Sequence, residues 1–207
     1  MLLITFFIVG FGMCAGKRED LTKKERLSST QIYKRSLKML RTKDPLRLHT
    51  FSKHIEGKIP KCLISRFIKT KEKGAVRTLE TNYKLETKEK ERKIKETQLN
   101  LEVAIAITNG SIPYLQITFQ KGSHDAMWTY AQDLKYAKPK GCIILQDTSG
   151  EGLRPACTLW GYKHTVPKQM IKCQKIFLQL CGAGRVVDPT QCTEGKEKKG
   201  TPVKEPK

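Results

Sequence analysis

Seven cysteines are spread unevenly along this chain of 207 residues, and their placement restricts the fold more than any other feature. Cys14 closes an apolar stretch, residues 2–16, that holds no charge and no proline and ends on the small residues Ala15 and Gly16. Followed by the charged Lys17, Arg18 and Glu19, it reads as a secretory signal peptide with cleavage after Gly16. At about 15 residues it is short of the ~18–20 that span a bilayer, so no membrane span is expected. Cleavage removes Cys14 and leaves Cys62, Cys142, Cys157, Cys173, Cys181 and Cys192. An even number in an oxidising compartment reads as three disulfides, with on the order of 15 connectivities open. Five of the six lie from residue 142 onward, so the last third is cross-linked to itself and, through Cys62, to an early strand. Zinc is set aside on spacing, because no C-x-x-C or C-x-x-H pair occurs.

Between these anchors the texture is mostly that of strands. Residues 17–27 form a charged N-terminal segment. Residues 28–43 predict a helix in which Tyr33, Leu37 and Leu40 recur at helical spacing, stopped by Asp44-Pro45. Short segments with turn signals between them predict strands at 46–53, 61–70, 75–86, 93–108, 112–120, 126–137, 141–147 and 156–163. That pattern is all-β, an antiparallel barrel or sandwich. A last helix follows, with Pro167 in its first turn, Gly182 at its end, and Met170, Cys173, Phe177, Leu180 and Cys181 on one stripe that must lie on something apolar. Residues 193–207 contain no core-forming residues and read as a disordered basic tail.

One hairpin can be registered from the sequence. Leu101, Val103, Ile105 and Ile107 form one row, and Leu115, Ile117 and Phe119 another. A two-residue Asn109-Gly110 turn would put the rows on opposite faces, because a slip of one residue flips every side chain. A loop over 109–111 pairs Ile105 with Leu115 and Val103 with Ile117, so an odd-length loop is expected. The same loop carries Asn109-Gly110-Ser111, an N-glycosylation acceptor at Asn109.

The C-terminal third carries a more specific pattern. Ala156-Cys157-Thr158-Leu159-Trp160, then Cys173, then Phe177-Leu178-Gln179-Leu180-Cys181-Gly182, then Cys192, resembles the C-terminal signature of tick salivary lipocalins of the histamine-binding kind. Lys61-Cys62-Leu63 and Gly141-Cys142-Ile143 look like the cysteine-bearing strands upstream. The Gly-x-Trp of ordinary lipocalin first strands is absent. The resemblance implies an eight-stranded antiparallel lipocalin-like barrel over residues 28–192, with the N-terminal helix and a C-terminal helix packed outside. It also implies disulfides Cys62–Cys192, Cys142–Cys173 and Cys157–Cys181. In the amine-binding members an Asp follows the cysteine that matches Cys142 and a Glu precedes the Leu-Trp pair. Here Ile143 and Thr158 stand in those places, which removes the partners a buried ammonium needs. Asp125, Asp133 and Asp147 remain as substitutes.

What such a chain does follows from the barrel and from the charge. Val103, Ile105, Phe119, Trp128, Tyr130 and Trp160 are the candidate lining of a ligand cavity, with Trp128, Tyr130, Leu134 and Tyr136 alternating on one strand face. His49, His54, His124 and His164 are scattered and form no metal or catalytic pattern. No nucleophile has an evident base, so no enzyme, metal or cofactor is expected. Lys and Arg number 40 against 20 Asp and Glu, a formal charge of +20. Residues 17–61 alone hold 14 basic and 5 acidic residues, whereas the run 84–96 interleaves six basic residues with four Glu. Lys34, Arg35, Lys38 and Arg41, with Arg92, Lys93 and Lys95, are candidates to meet a polyanion. The expectation is a secreted, extracellular protein that sequesters a small apolar or anionic host mediator, such as a fatty acid or leukotriene. The alternative is a scaffold that binds a host protein or glycosaminoglycan through its basic outer surface. Histamine or serotonin is a weaker third choice, and nucleic acid is not expected.

Overall fold

The computed structural model describes residues 27–57, 59–60, 62–81, 100–119, 128–148, 155–162, 164–165 and 167–192. The expected signal peptide, nearly all of the charged segment after it, the run 84–96 and the basic tail lie outside the described residues. Helix α1 (Ser29–Leu40) opens on a capping box: the Ser28 hydroxyl accepts from the Gln31 amide, and the Gln31 side chain accepts from the Ser28 amide. Ile32, Ser36, Met39 and Leu40 face inward, while Lys34 and Lys38 are exposed.

Ten strands follow: β1 (Leu46–Ser52), β2 (Leu63–Ser65), β3 (Phe67–Lys71), β4 (Gly74–Thr81), β5 (Asn100–Thr108), β6 (Tyr114–Phe119), β7 (Trp128–Lys138), β8 (Cys142–Asp147), β9 (Cys157–Tyr162) and, after helix α2 (Pro167–Cys181), β10 (Gly184–Val186). All pairings are antiparallel, in the order β1-β2-β4-β5-β6-β7-β8-β9, and β9 pairs back onto β1. Eight strands thus close a barrel, which leaves no open edge in the ring. The predicted strand 61–70 breaks at Arg66 into β2 and β3, and both parts pair with β4. Strand β10, which no sequence signal announced, takes the edge of β1 beyond β2, pairing Thr50 with Val186.

Two local readings need correction. The β5–β6 hairpin pairs Val103 with Phe119, Ile105 with Ile117 and Ile107 with Leu115. Its loop therefore runs over 109–113 rather than 109–111. The parity is odd, so both apolar rows share the inner face. The extra residues include Pro113, which has no N–H to give to a ladder and offers only its carbonyl, here to the Leu134 amide. On β7 the register shifts between Leu134 and Tyr136. This bulge breaks the alternation, so Leu134 faces in whereas Tyr136 joins the outer cluster.

Two apolar layers result. Inside, α1 contributes Ile32, Met39 and Leu40 to the barrel core with Leu46, Val103, Ile107, Leu115, Leu134 and Ile143. Outside, Cys173 and Phe177 of α2 pack on Tyr136, Ile144 and Leu159. Leu180 is turned away from that face and is exposed. Disulfides join Cys142 to Cys173, Cys157 to Cys181, and Cys62 to Cys192, with Cα separations of 6.3, 6.1 and 5.5 Å. The close approach of α2 needs Gly161, since a Cβ there would lie 2.8 Å from Met170 Cε and 2.9 Å from the Gly141 carbonyl oxygen. The helix ends where Gly182, at φ 76°, turns its amide back to the Leu178 carbonyl.

The α1 end of the barrel is sealed by Arg77, a fully buried residue pointing inward from β4. All five of its N–H donors are used. Nε donates to Ser65 Oγ, Nη1 to the carbonyls of Leu40 and Thr42, and Nη2 to those of Asp44 and Ser65, at 2.8–3.1 Å. The Leu40 carbonyl is one that the end of α1 leaves without a helical partner, those of Thr42 and Asp44 belong to the connection that follows, and that of Ser65 to β2; the helix ends at Leu40, short of the expected 43. Desolvation lowers the guanidinium pKa to about 10, still charged at neutral pH. Arg77→Met leaves several buried carbonyls unpaired and is expected to cost on the order of 3–5 kcal/mol in urea unfolding. Arg77→Lys cannot reproduce the fork and should recover less than half of that loss.

His49 sits at a second bulge, between Leu48 and Thr50 of β1. Burial is the main cause that lowers its pKa, opposed by a backbone hydrogen bond at Tyr162, with the Arg47 charge lowering it further. The unfolded chain therefore binds a proton at His49 more readily than the folded one. The stability this neutral imidazole retains is fully present above pH ~6.5 and is lost as pH falls through the lower folded value. Denaturant midpoints measured from pH 7.5 to 5 should fall, and His49→Gln should flatten that slope.

Candidate functional site: the open half of the barrel

The pairing registers identify which side chains face the lumen. Val103 and Phe119 follow from one set of partners, Ile105, Ile117 and Tyr130 from the next, and Leu115, Gln132 and Asp147 from the third. On the other wall, Leu48 stands opposite Trp160 and Leu79 opposite Leu101. The turns after β3 and β5 lie at the α1 end, because Arg41 donates to the carbonyls of Lys71, Glu72 and Gly74 and Ser29 Oγ donates to the Ser111 carbonyl, and the turn after β7 lies there too, since Pro139 and Lys140 line one cavity with Lys38 and Met39. The opposite end is the mouth.

Burial differs between the two halves. Ile107, Leu115, Leu134 and Ile143 retain at most 2 % of their exposure, sealed by α1. Leu79, Leu101, Ile117, Phe119 and Trp160 also point inward, yet they remain only partly buried. Inward-facing apolar side chains that are only partly buried therefore lie toward the end remote from α1. Beyond the candidates named from the sequence, Leu79, Leu101, Gln132 and Asp147 belong to this wall. The signal for Leu79 and Leu101 was their place in apolar rows; Gln132 and Asp147 become inward only once the register is fixed.

Of the sequence candidates, Val103 and Ile105 are buried at mid-barrel, and Phe119 lies nearer the mouth. Trp128 pairs with Phe119 through its backbone, and its side chain lies outside the described residues. Trp160 bridges the inner core and the small cluster of Leu48, Phe51 and Leu63, and its Nε1 donates to Thr158 Oγ1 at 3.2 Å. Tyr130, 36 % exposed, stands at the mouth. Burial, then a hydrogen bond and the charge of Asp147, raise its pKa, while a bond to Gln132 opposes the shift. The phenol thus stays protonated and donates to a lumen-facing carboxylate. Asp133 faces outward and lies 3.9 Å from Lys135, and Asp125 lies outside the described residues.

The mouth carries a polar trio, Tyr130, Gln132 and Asp147, above an apolar wall. The only guanidinium among the described inward-facing residues, Arg77, has every donor occupied at the far end. No group of three or more His, Cys, Asp or Glu among the described residues could hold a metal ion.

The chain matches no protein-family model and no curated protein. Among solved structures it is similar to Japanin from Rhipicephalus appendiculatus bound to cholesterol, at 14 % sequence identity and a TM-score of 0.51. The likeness covers 73 % of this chain and 97 % of that one. At this identity it is a likeness of fold alone, the closed eight-stranded barrel.

Proposed function

We propose that this protein is a secreted carrier that takes a small, largely apolar ligand bearing one neutral polar group into the open half of its barrel and so removes it from solution. The observation that carries this reading is the accessible apolar wall of Leu79, Leu101, Ile117, Phe119 and Trp160. A ligand lying against that wall gains about 25 cal/mol for each Å2 of apolar surface removed from water. Its polar group meets Tyr130, Gln132 and Asp147, which together supply a donor amide, a phenol and an acceptor carboxylate. Of the two mediator classes expected from the sequence, the neutral one fits better. Asp147 repels an anionic head, and Arg77 has no donor left to receive one. Japanin, a barrel of the same fold, is bound to cholesterol, a ligand of this chemical kind. The tick salivary lipocalin signature in the C-terminal third supports the same reading.

Asp147 also gives a second reading substance. A protonated amine could pair with this carboxylate, replacing the acids whose places Ile143 and Thr158 occupy. It ranks second because the carboxylate is already bonded to Tyr130 and a small amine would leave most of the apolar wall wet.

Native mass spectrometry and calorimetry of the secreted chain with cholesterol, a fatty acid, histamine and serotonin should show saturable binding of the sterol in preference to the others. Filling the lumen with Leu101→Phe and Ile117→Phe should weaken sterol binding about tenfold or more while thermal unfolding stays within a few degrees. Tyr130→Phe removes one hydrogen bond, worth ~1 kcal/mol or roughly fivefold in affinity. Tight amine binding that Asp147→Asn abolishes would replace the first reading by the second. Sterol affinity indifferent to the lumen-filling pair would dismiss the barrel as the site.

A further inference from the structure

At the closed end, outside the barrel, a second cavity of about 320 Å3 lies between the last turn of α1, the β7–β8 turn and the residues that follow β9. Lys38, Lys140 and His164 stand around it, and Asp44 is its one acid. Pro45, Pro139 and the Tyr162 ring form the walls. The described ion pairs are elsewhere, Arg66–Glu80, Lys135–Asp133 and Arg185–Glu56, so Lys38 and Lys140 are not neutralised by a described carboxylate. Behind the wall lies the buried charge of Arg77, whose guanidinium is held by the Asp44 carbonyl.

The positive surface continues on both sides of this cavity. Lys34 lies one turn before Lys38 on the exposed face of α1, and the exposed Lys43 follows the helix. Arg41, which sequence reading placed among the free cations, is instead fastened to the β3–β4 turn through the carbonyls of Lys71, Glu72 and Gly74. That fastening holds the exposed Lys71 and Lys73 beside the end of α1. A band of lysines therefore crosses the closed end of the barrel, with a cavity in it large enough for one sugar ring and its substituent.

We propose that this closed end is a docking surface for a sulfated glycosaminoglycan, with one sulfated sugar held between Lys38, Lys140 and His164 and the flanking chain following the other lysines. Fixed sulfates on a polar chain match spaced ammonium groups at the rim of a shallow, mixed-polarity cavity. An anionic bilayer fits less well, because none of the exposed large apolar side chains (Ile68, Ile112, Tyr130, Ile171, Leu178, Leu180 and Val186) lines the cavity. The surface is independent of the barrel ligand, since the lumen opens at the opposite end.

The test is retention of the full secreted chain on immobilised heparin, on heparin stripped of sulfate, and on vesicles of phosphatidylserine in phosphatidylcholine. Affinity for heparin should fall steeply with salt and vanish without sulfate. At about 0.15 M salt, Lys38→Glu with Lys140→Glu should weaken it about tenfold or more. The same charge change at Lys53 and Lys175, away from the cavity, should weaken it less than about threefold. Unchanged sterol binding by the first pair would show the barrel intact and keep the two sites apart. Equal weakening by both pairs would reduce the effect to net charge and overturn the proposal. So would failure to bind heparin, or retention by the vesicles alone.

Discussion

The guanidinium of Arg77 fastens α1 and the connection after it, which no strand pairing reaches, to the barrel wall. Five hydrogen bonds run from it to the end of α1, to the connection that follows and to β2. A barrel of eight antiparallel strands does not by itself have a floor; its ends are where backbone groups and interior side chains meet water. Here the floor is a helix, and a helix end carries carbonyls without partners. Placing a planar cation with five donors there satisfies the Leu40 carbonyl of the helix together with those of Thr42, Asp44 and Ser65. The desolvation cost of burying that charge is offset by the partial negative charge of the helix terminus and by complete hydrogen bonding. With α1 fixed in this way, Met39 and Leu40 can fill the lower barrel, and the remaining volume lies toward the other end.

That asymmetry organises the rest of the chemistry. Among the described residues, partly buried apolar surface faces inward in the upper half, and the titratable groups beside it are an acid and its phenol partner rather than a base. Among the same residues, Lys34, Lys38, Lys43, Lys71, Lys73 and Lys140 are exposed where α1 meets the turns. The described inner wall holds the buried Arg77 and the carboxylate of Asp147, whereas the lysines of α1 and of the turns beside it are exposed. The two surfaces suit ligands of opposite character and face opposite ways.

The strand content, the closed antiparallel architecture and the two helices were legible in the sequence, because the period-two rows of β5 and β6 and the Pro-to-Gly span of α2 are local signals. The C-terminal signature added what periodicity alone left open, the choice of barrel over sandwich. What local reading could not supply depended on contacts distant in sequence. The five-residue loop at 109–113 differs from the expected three by one step of two residues, which keeps every side chain on its face and so leaves no trace in the hydrophobic pattern. The bulge at Lys135 moved Tyr136 from the lumen to the wall under α2. Arg77 stood in plain view as a single cation between Ala75 and Leu79 on an apolar face, but its role could be read only with the end of α1 beneath it. Arg41 was misjudged for the same reason, since its partners are carbonyls some 30 residues further along.

The bond between Cys62 and Cys192 spans 130 residues and encloses every strand of the ring except β1. Cutting any single peptide bond inside that span would leave both pieces attached through their sulfurs, and the ladders on either side of the cut would still hold neighbouring strands in register. One nick is then not a release of fragments, and separation of the pieces requires either a second cut or a reductant.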